Sequence, residues 1–291
     1  MLQHACQIVK TPDLIGRLRK GRGDHKYTHG HALILSGPSG KTGAARLAAR
    51  AALRVGAGLV TLGTAHDALF ENAAQLTAIM LTEIDGVEAL TETLKDSRIN
   101  ALCIGPGFGV ERAGAVLPVL LAAKRPTVLD ADALTALSQD EGLFAALHPG
   151  CVLTPHAGEF KRLFPNIAAK LDAPATTGPA YSKLDATREA AKRAGCVVLF
   201  KGPDTVIASP DGHATVNAAV YERAAPWLAT AGSGDVLAGI ITGLLARGFS
   251  PHRAAETGAW LHTEAARSFG PGLIAEDLPE ELPKVFRQLG L

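Results

Sequence analysis

The chain is poor in the features that mark membrane, secreted or nucleic-acid-binding proteins. Aromatic residues make up only 5% of its 291 positions, and the formal net charge is +1. Without a basic excess there is no electrostatic footprint for nucleic acid or for an anionic membrane surface. Arg17–Arg22 is the one short block of like charge, and it reads as a solvated leader. No apolar run approaches the roughly 20 residues that cross a bilayer. Met1 to Lys20 lacks the continuous apolar core of a secretory signal. These absences point to a cytoplasmic protein. The four cysteines, Cys6, Cys103, Cys151 and Cys196, are scattered without metal-ligand spacing. The last three lie in or beside apolar strand-like runs and read as buried free thiols. What is present is ordinary: 47% hydrophobic and 20% charged residues, in a chain long enough for one large α/β domain or two small ones.

Short apolar runs alternate with longer helical patterns. Strands are expected at His31–Ser36, Gly58–Leu62, Thr77–Leu81, Ala101–Gly105, Thr127–Asp130, Cys151–Thr154, Val197–Lys201, Thr205–Ala208 and His213–Asn217. Helices are expected between them at Thr42–Gly56, Glu111–Lys124, Gly158–Leu163 and Tyr181–Ala194, then at Ser233–Arg247, Pro251–Phe269 and Pro279–Leu289. Such alternation predicts an α/β fold with a mainly parallel central sheet and helices on both faces. The last two strands, joined by Ser209-Pro210-Asp211-Gly212, read as a hairpin at a sheet edge. Ala168–Ala180 reads as a loop too short to link domains, so residues 25–291 form a single domain behind a leader at 1–24. The alanine-rich helix from Thr42 is suited to packing close to the sheet.

The most telling stretch is Ala229–Gly239, which places Gly232, Ser233, Gly234 and Asp235 before the apolar helix Val236 to Leu245. Such a turn aims backbone N–H groups outward where the helix dipole favours anions. An aspartate beside that anion site can take a proton from an alcohol attacking phosphorus. The pattern predicts phosphoryl transfer.

Ligands of open parallel sheets bind at the carboxyl ends of the strands, and five further loops there are rich in candidate residues. Gly37–Thr42 lacks the glycine a nucleotide P-loop needs, since position 35 is Leu35. It reads either as a substrate-facing turn, with Gly43 and Ala44 giving close backbone approach, or as a tight turn with Lys41 in solvent. Gly105-Pro106-Gly107-Phe108-Gly109 lacks dinucleotide spacing and reads equally as a ligand loop or a plain turn. Asp130 and Asp132 could hold hydrated magnesium or a substrate hydroxyl, against an N-cap for the helix beginning near Ala133. His156 is by default a capping or exposed histidine, and Glu159 a helix N-terminal carboxylate or a magnesium ligand through water. Lys201, ending an apolar strand ahead of Gly202, is placed to meet a phosphate, against a snorkelling lysine. His252 and His262 have no paired-ligand spacing and read as surface or capping groups. Asp67, Glu71 and Glu88 read as solvated helix faces. Gly232-Ser233-Gly234 is not the G-x-S-x-G elbow of a hydrolase.

Together these motifs resemble the ADP/ATP-dependent NAD(P)H-hydrate dehydratases of the ribokinase-like superfamily. The turn Gly232–Asp235 resembles their anion hole and base. Pro155-His156-Ala157-Gly158-Glu159 resembles the N-x-x-E magnesium motif of ribokinase-like enzymes, with His156 in place of asparagine. Gly43-Ala44, Gly105-Pro106-Gly107, Asp130-Ala131-Asp132 and Lys201–Thr205 complete a similarity running from about His25 to about Leu282. The resemblance implies a ribokinase-like three-layer sandwich. It implies ADP-dependent dehydration of the S-epimer of hydrated NAD(P)H to NAD(P)H, releasing AMP and phosphate, a nicotinamide nucleotide repair reaction. By the same resemblance Ala44, Gly107, His156 and Asp235 contact the hydrate. Lys201, Gly202, Pro203, Asp204, Thr205 and Gly234 hold the adenine nucleotide, with Mg2+ and ADP or ATP required. Relatives are often tetramers, and several carry an N-terminal epimerase domain. Here only some thirty residues precede the first strand, so epimerase activity is expected from a separate protein. Departures are Ser36-Gly37-Pro38-Ser39, where many relatives carry a Gly-Gly-Ser type turn, and Ser233, where they carry threonine or alanine. Two alternatives remain: a ribokinase-like kinase that stops at a phosphorylated alcohol such as a vitamin precursor, and a nucleotide-binding sensor without turnover.

Overall fold

The computed structural model describes residues 6–7, 12–176 and 178–291. Ten strands among them form one sheet: β1 (Cys6–Gln7), β2 (His31–Leu35), β3 (Leu59–Thr64), β4 (Met80–Glu83), β5 (Ile99–Ile104), β6 (Thr127–Leu129), β7 (Cys151–Leu153), β8 (Val197–Phe200), β9 (Asp204–Ala208) and β10 (Ala214–Ala218). Their spatial order is β1-β10-β9-β8-β7-β6-β5-β2-β3-β4. Every pair from β8 to β4 is parallel, and β9 runs antiparallel to both its neighbours.

The nine expected strands are all present, with ends moved by at most three residues. Their near-continuous apolar runs follow from burial on both faces, as in β2, where all five residues are buried. One core lies between the sheet and the helices Gly43–Arg54, Ser233–Ala246, Pro251–Phe269 and Asp277–Gln288. The second lies on the other face, beneath Val110–Ala122, Ala131–Gln139, Ala157–Leu163 and Lys183–Ala194. The result is the three-layer sandwich expected. Among the described residues no helix is long and apolar enough to cross a membrane. Cys103, Cys151 and Cys196 are free and buried.

Three features differ from the sequence reading. The segment before residue 25 contributes β1, which pairs parallel with β10, and a helix, Pro12–Leu18, whose Leu14 and Leu18 join the core. The hairpin strand β10 therefore has a neighbour beyond it. Arg17, Arg19, Lys20 and Arg22 are exposed, as charge dictates, yet the Arg17 and Leu18 carbonyls accept hydrogen bonds from Arg247. The expected loop at 168–180 begins as helix: Pro165–Asp172 starts on a proline suited to the first helical position and buries Ile167 and Ala168. Finally, the alanine-rich helix packs most closely on another helix. A Cβ on Gly239 would lie 2.1 Å from the Ala48 carbonyl oxygen, so only glycine permits that approach.

β3 and β4 lie to one side of β2 and β5 to the other, so the chain changes direction between β2 and β5. A crevice opens beyond the carboxyl ends at such a switch point.

Candidate active site

Because β8, β7, β6, β5 and β2 are parallel neighbours, the residues following them share one edge of the sheet. Lys201 follows β8, His156 and Glu159 lie beyond β7, Asp130 follows β6, and the loops Gly105–Gly109 and Gly37–Ala44 follow β5 and β2. The N-terminus of the helix Ser233–Ala246 arrives at the same edge. Gly232 makes the turn at φ 86°, and a Cβ there would lie 2.7 Å from Leu47 Cδ1 and 2.8 Å from Ala275 Cβ. Both conformation and space require glycine.

A charge cluster faces this turn. Lys201 Nζ lies 2.9 Å from Asp130 Oδ1 and 3.8 Å from Glu159 Oε2, with Asp130 only 2% exposed. Burial alone would lower the Lys201 pKa, but the Asp130, Glu159 and Asp235 carboxylates outweigh it and raise it. The half-buried Asp235 has its pKa pushed up to about 6, first by burial and then by the negative charge of Asp130, against the pull of Lys201. A Cβ on Gly234 would lie 3.4 Å from Lys201 Nζ, so the first helical turn faces the ammonium directly.

Beside the cluster is a cavity of about 700 Å³. Lys201, Gly202, Pro203, Thr205, Ser233, Gly234 and His156 line it, with an apolar wall that includes Ala224, Pro226, Leu228 and Leu237. Asp204 turns away, and its carboxylate pairs with Lys183 Nζ at 2.9 Å. His156 caps the helix Ala157–Leu163: its Nδ1 accepts from the Gly158 N–H at 2.9 Å, while Glu159 Oε2 accepts from the His156 N–H at 2.8 Å. The capping role expected by default thus coexists with a place in the cavity wall.

Ala44 and Gly107 belong to the switch-point crevice, outside the walls of this cavity. A Cβ on Gly107, which sits at φ 62°, would lie 2.8 Å from the Lys41 carbonyl and 3.4 Å from Ala44 Cβ. One on Gly37 would lie 2.0 Å from the Gly107 carbonyl, so the two glycine loops close on each other. Gly43 faces open space and Lys41 is exposed.

The structure corrects several readings. Asp132 is not an N-cap: the helix begins at Ala131, and Asp132 Oδ2 accepts from the Gly109 N–H at 2.8 Å, tying down the β5 loop. Asp130 holds the N-cap position, but its carboxylate is committed to Lys201. Glu71 is no solvated face; it accepts from the Gly40 N–H at 2.7 Å, from Ser39 Oγ at 3.1 Å and from the Thr42 hydroxyl. Those bonds, Thr42 first, hold its pKa below the usual range. Nor are the two helix histidines surface groups. His252 lies within hydrogen-bond distance of Ser209 Oγ and Thr215 Oγ1, and burial pulls its pKa down to about 4. His262 is buried with Nε2 2.9 Å from the Ser233 carbonyl oxygen and 3.2 Å from Ser233 Oγ, and it lines the cavity. Its position between Ala259, Ala265 and Ala266, on the buried stripe of its helix, was the available signal.

Among the described residues no group of three or more His, Cys, Asp or Glu could cage a metal ion. Glu159 offers a single carboxylate, anchored through Oε2 to the His156 N–H. That donor set suits magnesium carried by nucleotide phosphates, because Mg2+ keeps several waters and takes one or two protein carboxylates.

A family model described as NAD(P)H-hydrate dehydratase matches residues 32–285. A bifunctional NAD(P)H-hydrate repair enzyme from Moorella thermoacetica is 38% identical over 93% of this chain and 52% of its own. The chain thus spans about half the length of that relative. An ADP-dependent (S)-NAD(P)H-hydrate dehydratase from Neisseria meningitidis is 39% identical over 89% of this chain and 84% of its own. Among solved structures, the ADP/ATP-dependent NAD(P)H-hydrate dehydratase from Bacillus subtilis, co-crystallised with ATP and Mg2+, aligns with a TM-score of 0.76 at 27% identity, over 95% of this chain and 96% of that one. A ribokinase-like superfamily protein from Enterococcus faecalis shares the fold, with a TM-score of 0.76 at 23% identity, over 96% of this chain and 95% of that one. With nearly its whole length matched, the chain belongs to the NAD(P)H-hydrate dehydratase family.

Proposed function

We propose that this chain converts the S-epimer of hydrated NAD(P)H back to NAD(P)H, using ADP and releasing AMP and phosphate. The observation that carries the reading is Asp235, a half-buried carboxylate with its pKa raised to about 6, in the first turn of a helix that faces Lys201 and the cavity. A base near pKa 6 is ionised at neutral pH and still basic enough to accept a hydroxyl proton.

Hydroxide is a poor leaving group from the hydrated ring. Asp235 takes the hydroxyl proton as the oxygen attacks the terminal phosphorus of ADP, and the bond to AMP breaks. The ring nitrogen lone pair then expels phosphate, and loss of a proton from the neighbouring ring carbon restores the dihydronicotinamide. The amides of Gly232, Ser233 and Gly234 would offset charge on the transferred group. Lys201, Gly202, Pro203, Thr205 and Gly234 would hold the nucleotide, with Asp204 anchoring their loop through Lys183, and Ala44, Gly107 and His156 would hold the hydrate. Magnesium, when bound, would neutralise phosphate charge, with Glu159 holding it through water. The preference for ADP is supported by the name of the Neisseria relative. The proposal includes a single catalytic domain whose core takes in Leu14 and Leu18, a cytoplasmic setting, a homotetramer, and an epimerase acting in the same pathway.

Incubating the purified chain with hydrated NADH, Mg2+ and either ADP or ATP tests the reading. Recovery of NADH absorbance with stoichiometric phosphate is expected. A stable phosphoester without phosphate release would assign a kinase instead, and binding without turnover would reject an enzyme.

A further inference from the structure

We propose that His262 is a positioning residue for the transferred phosphoryl group, acting through Ser233 to aim the Gly234 N–H. The inference rests on the phosphoryl-transfer reading above and adds a residue to it.

The argument begins with the tautomer. Burial pulls the His262 pKa down to about 4, so the ring is neutral at pH 7 and carries one N–H. Its Nε2 lies 2.9 Å from the Ser233 carbonyl oxygen, which can only accept, so the proton sits on Nε2. The carbonyl of Ser233 and the N–H of Gly234 belong to one peptide unit, which is planar and trans. They point in opposite directions across that plane. Fixing the carbonyl therefore also fixes the direction of the Gly234 N–H, at a residue where an added Cβ would meet Lys201 Nζ. The helix's own i→i+4 bond already holds the Ser233 carbonyl, and the imidazole adds a second donor from outside the helix, while the Gly234 N–H has no partner within it.

The mount of the imidazole is itself rigid. Asn217 Nδ2 donates to the Ala259 carbonyl at 3.1 Å and to Thr263 Oγ1 at 2.9 Å, tying the helix of His262 to β10 on both sides of the ring. Ser233 Oγ at 3.2 Å from Nε2 closes the contact from a second direction. A misplacement of about 1 Å at a reacting centre can cost about a hundredfold in rate. Aiming one amide is thus a sufficient reason to bury a histidine there.

The test compares His262→Leu, which removes the donor, with His262→Gln, whose amide nitrogen can reach the Nε2 position. His262→Leu should lower kcat by about ten- to a hundredfold with KM for the nucleotide changed less than about threefold. His262→Gln should recover most of the rate, although both lose the ring. The Gly234 amide resonance should move in the leucine variant and return towards its parent position in the glutamine one. Unchanged kcat in His262→Leu would overturn the proposal. So would equal loss in both variants with an unmoved Gly234 resonance, which would mark a packing role only. A parent chain inactive on the hydrate would sink the functional reading instead, and the Gly234 resonance would still decide the link to His262.

Discussion

An Asp235→Asn variant is expected to lose turnover and yet to melt later than the parent chain above about pH 6. In the folded chain burial and the Asp130 charge raise the Asp235 pKa from 3.8 to about 6. A carboxyl with a higher pKa folded than unfolded binds its proton more tightly in the native state. Its favourable contribution is therefore fully present below about pH 4 and is lost as pH rises through about 6. At about 1.36 kcal/mol per pKa unit the loss approaches 3 kcal/mol, and the solvent that the half-buried carboxylate still meets screens part of it, leaving about 2. For a chain of 291 residues, with about 2.1 cal/mol/K of unfolding entropy per residue, 2 kcal/mol corresponds to about 3 °C in Tm. The asparagine keeps the shape and removes the charge. Calorimetry of both proteins at pH 4 and pH 8, without nucleotide or magnesium, reads the effect: nearly equal Tm in acid, and the variant higher by about 3 °C in base. Nucleotide binding should survive while phosphate release stops. A variant melting at or below its parent at pH 8 would refute the account of Asp235 as a carboxylate ionised against its surroundings. Near-normal turnover would reject its role as base.

Gly234→Ala places a methyl group 3.4 Å from Lys201 Nζ, in the space offered to a phosphate. Alanine is the better helix former by about 0.8–1 kcal/mol, so stability should hold or rise while titration calorimetry shows nucleotide affinity falling at least tenfold; unchanged affinity would move the anion site elsewhere. Lys201→Met leaves the Asp130 carboxylate, 2% exposed, without its cation and should cost about 3 kcal/mol in urea denaturation. Adding Asp130→Asn should return much of that loss, and a double variant no more stable than Lys201→Met would show that the pair is not coupled.

The sheet was legible because its physics is local. β2, β5, β7 and β8 are apolar runs a few residues long, bounded by glycine, proline or charge, and burial on both faces demands nothing more specific. The segment at 168–180 misled because alanine, proline and threonine are read as loop residues by composition, whereas Ile167 and Ala168 turn the first of them into a helix by finding a core to enter. β1 was illegible for the opposite reason. Two residues carry no periodicity, and only the exposed edge of β10, a tertiary feature, makes them a strand.

At the site, what could be read were groups whose role follows from their own neighbours in sequence. Gly232, Ser233, Gly234 and Asp235 announce a helix start with an anion turn, and Lys201 announces a charge at the end of an apolar strand. What could not be read were partners brought from far away. Asp130 and Lys201 are 71 positions apart, Thr42 and Glu71 are 29 apart, and Ser233 and His262 are also 29 apart. In each case the local pattern offered a polar residue without its partner, and the fold supplied the acceptor or donor. A buried polar group must be paired, so a histidine or carboxylate on the inward stripe of a helix already implies a partner before the partner is known. His262 met that condition beneath the Gly232–Asp235 turn, whereas Glu71 stays partly exposed and is held beneath the Gly37–Thr42 turn by the hydrogen bonds it accepts. Each of the two glycine turns at this edge of the sheet therefore has its own polar support, reached only through tertiary contact.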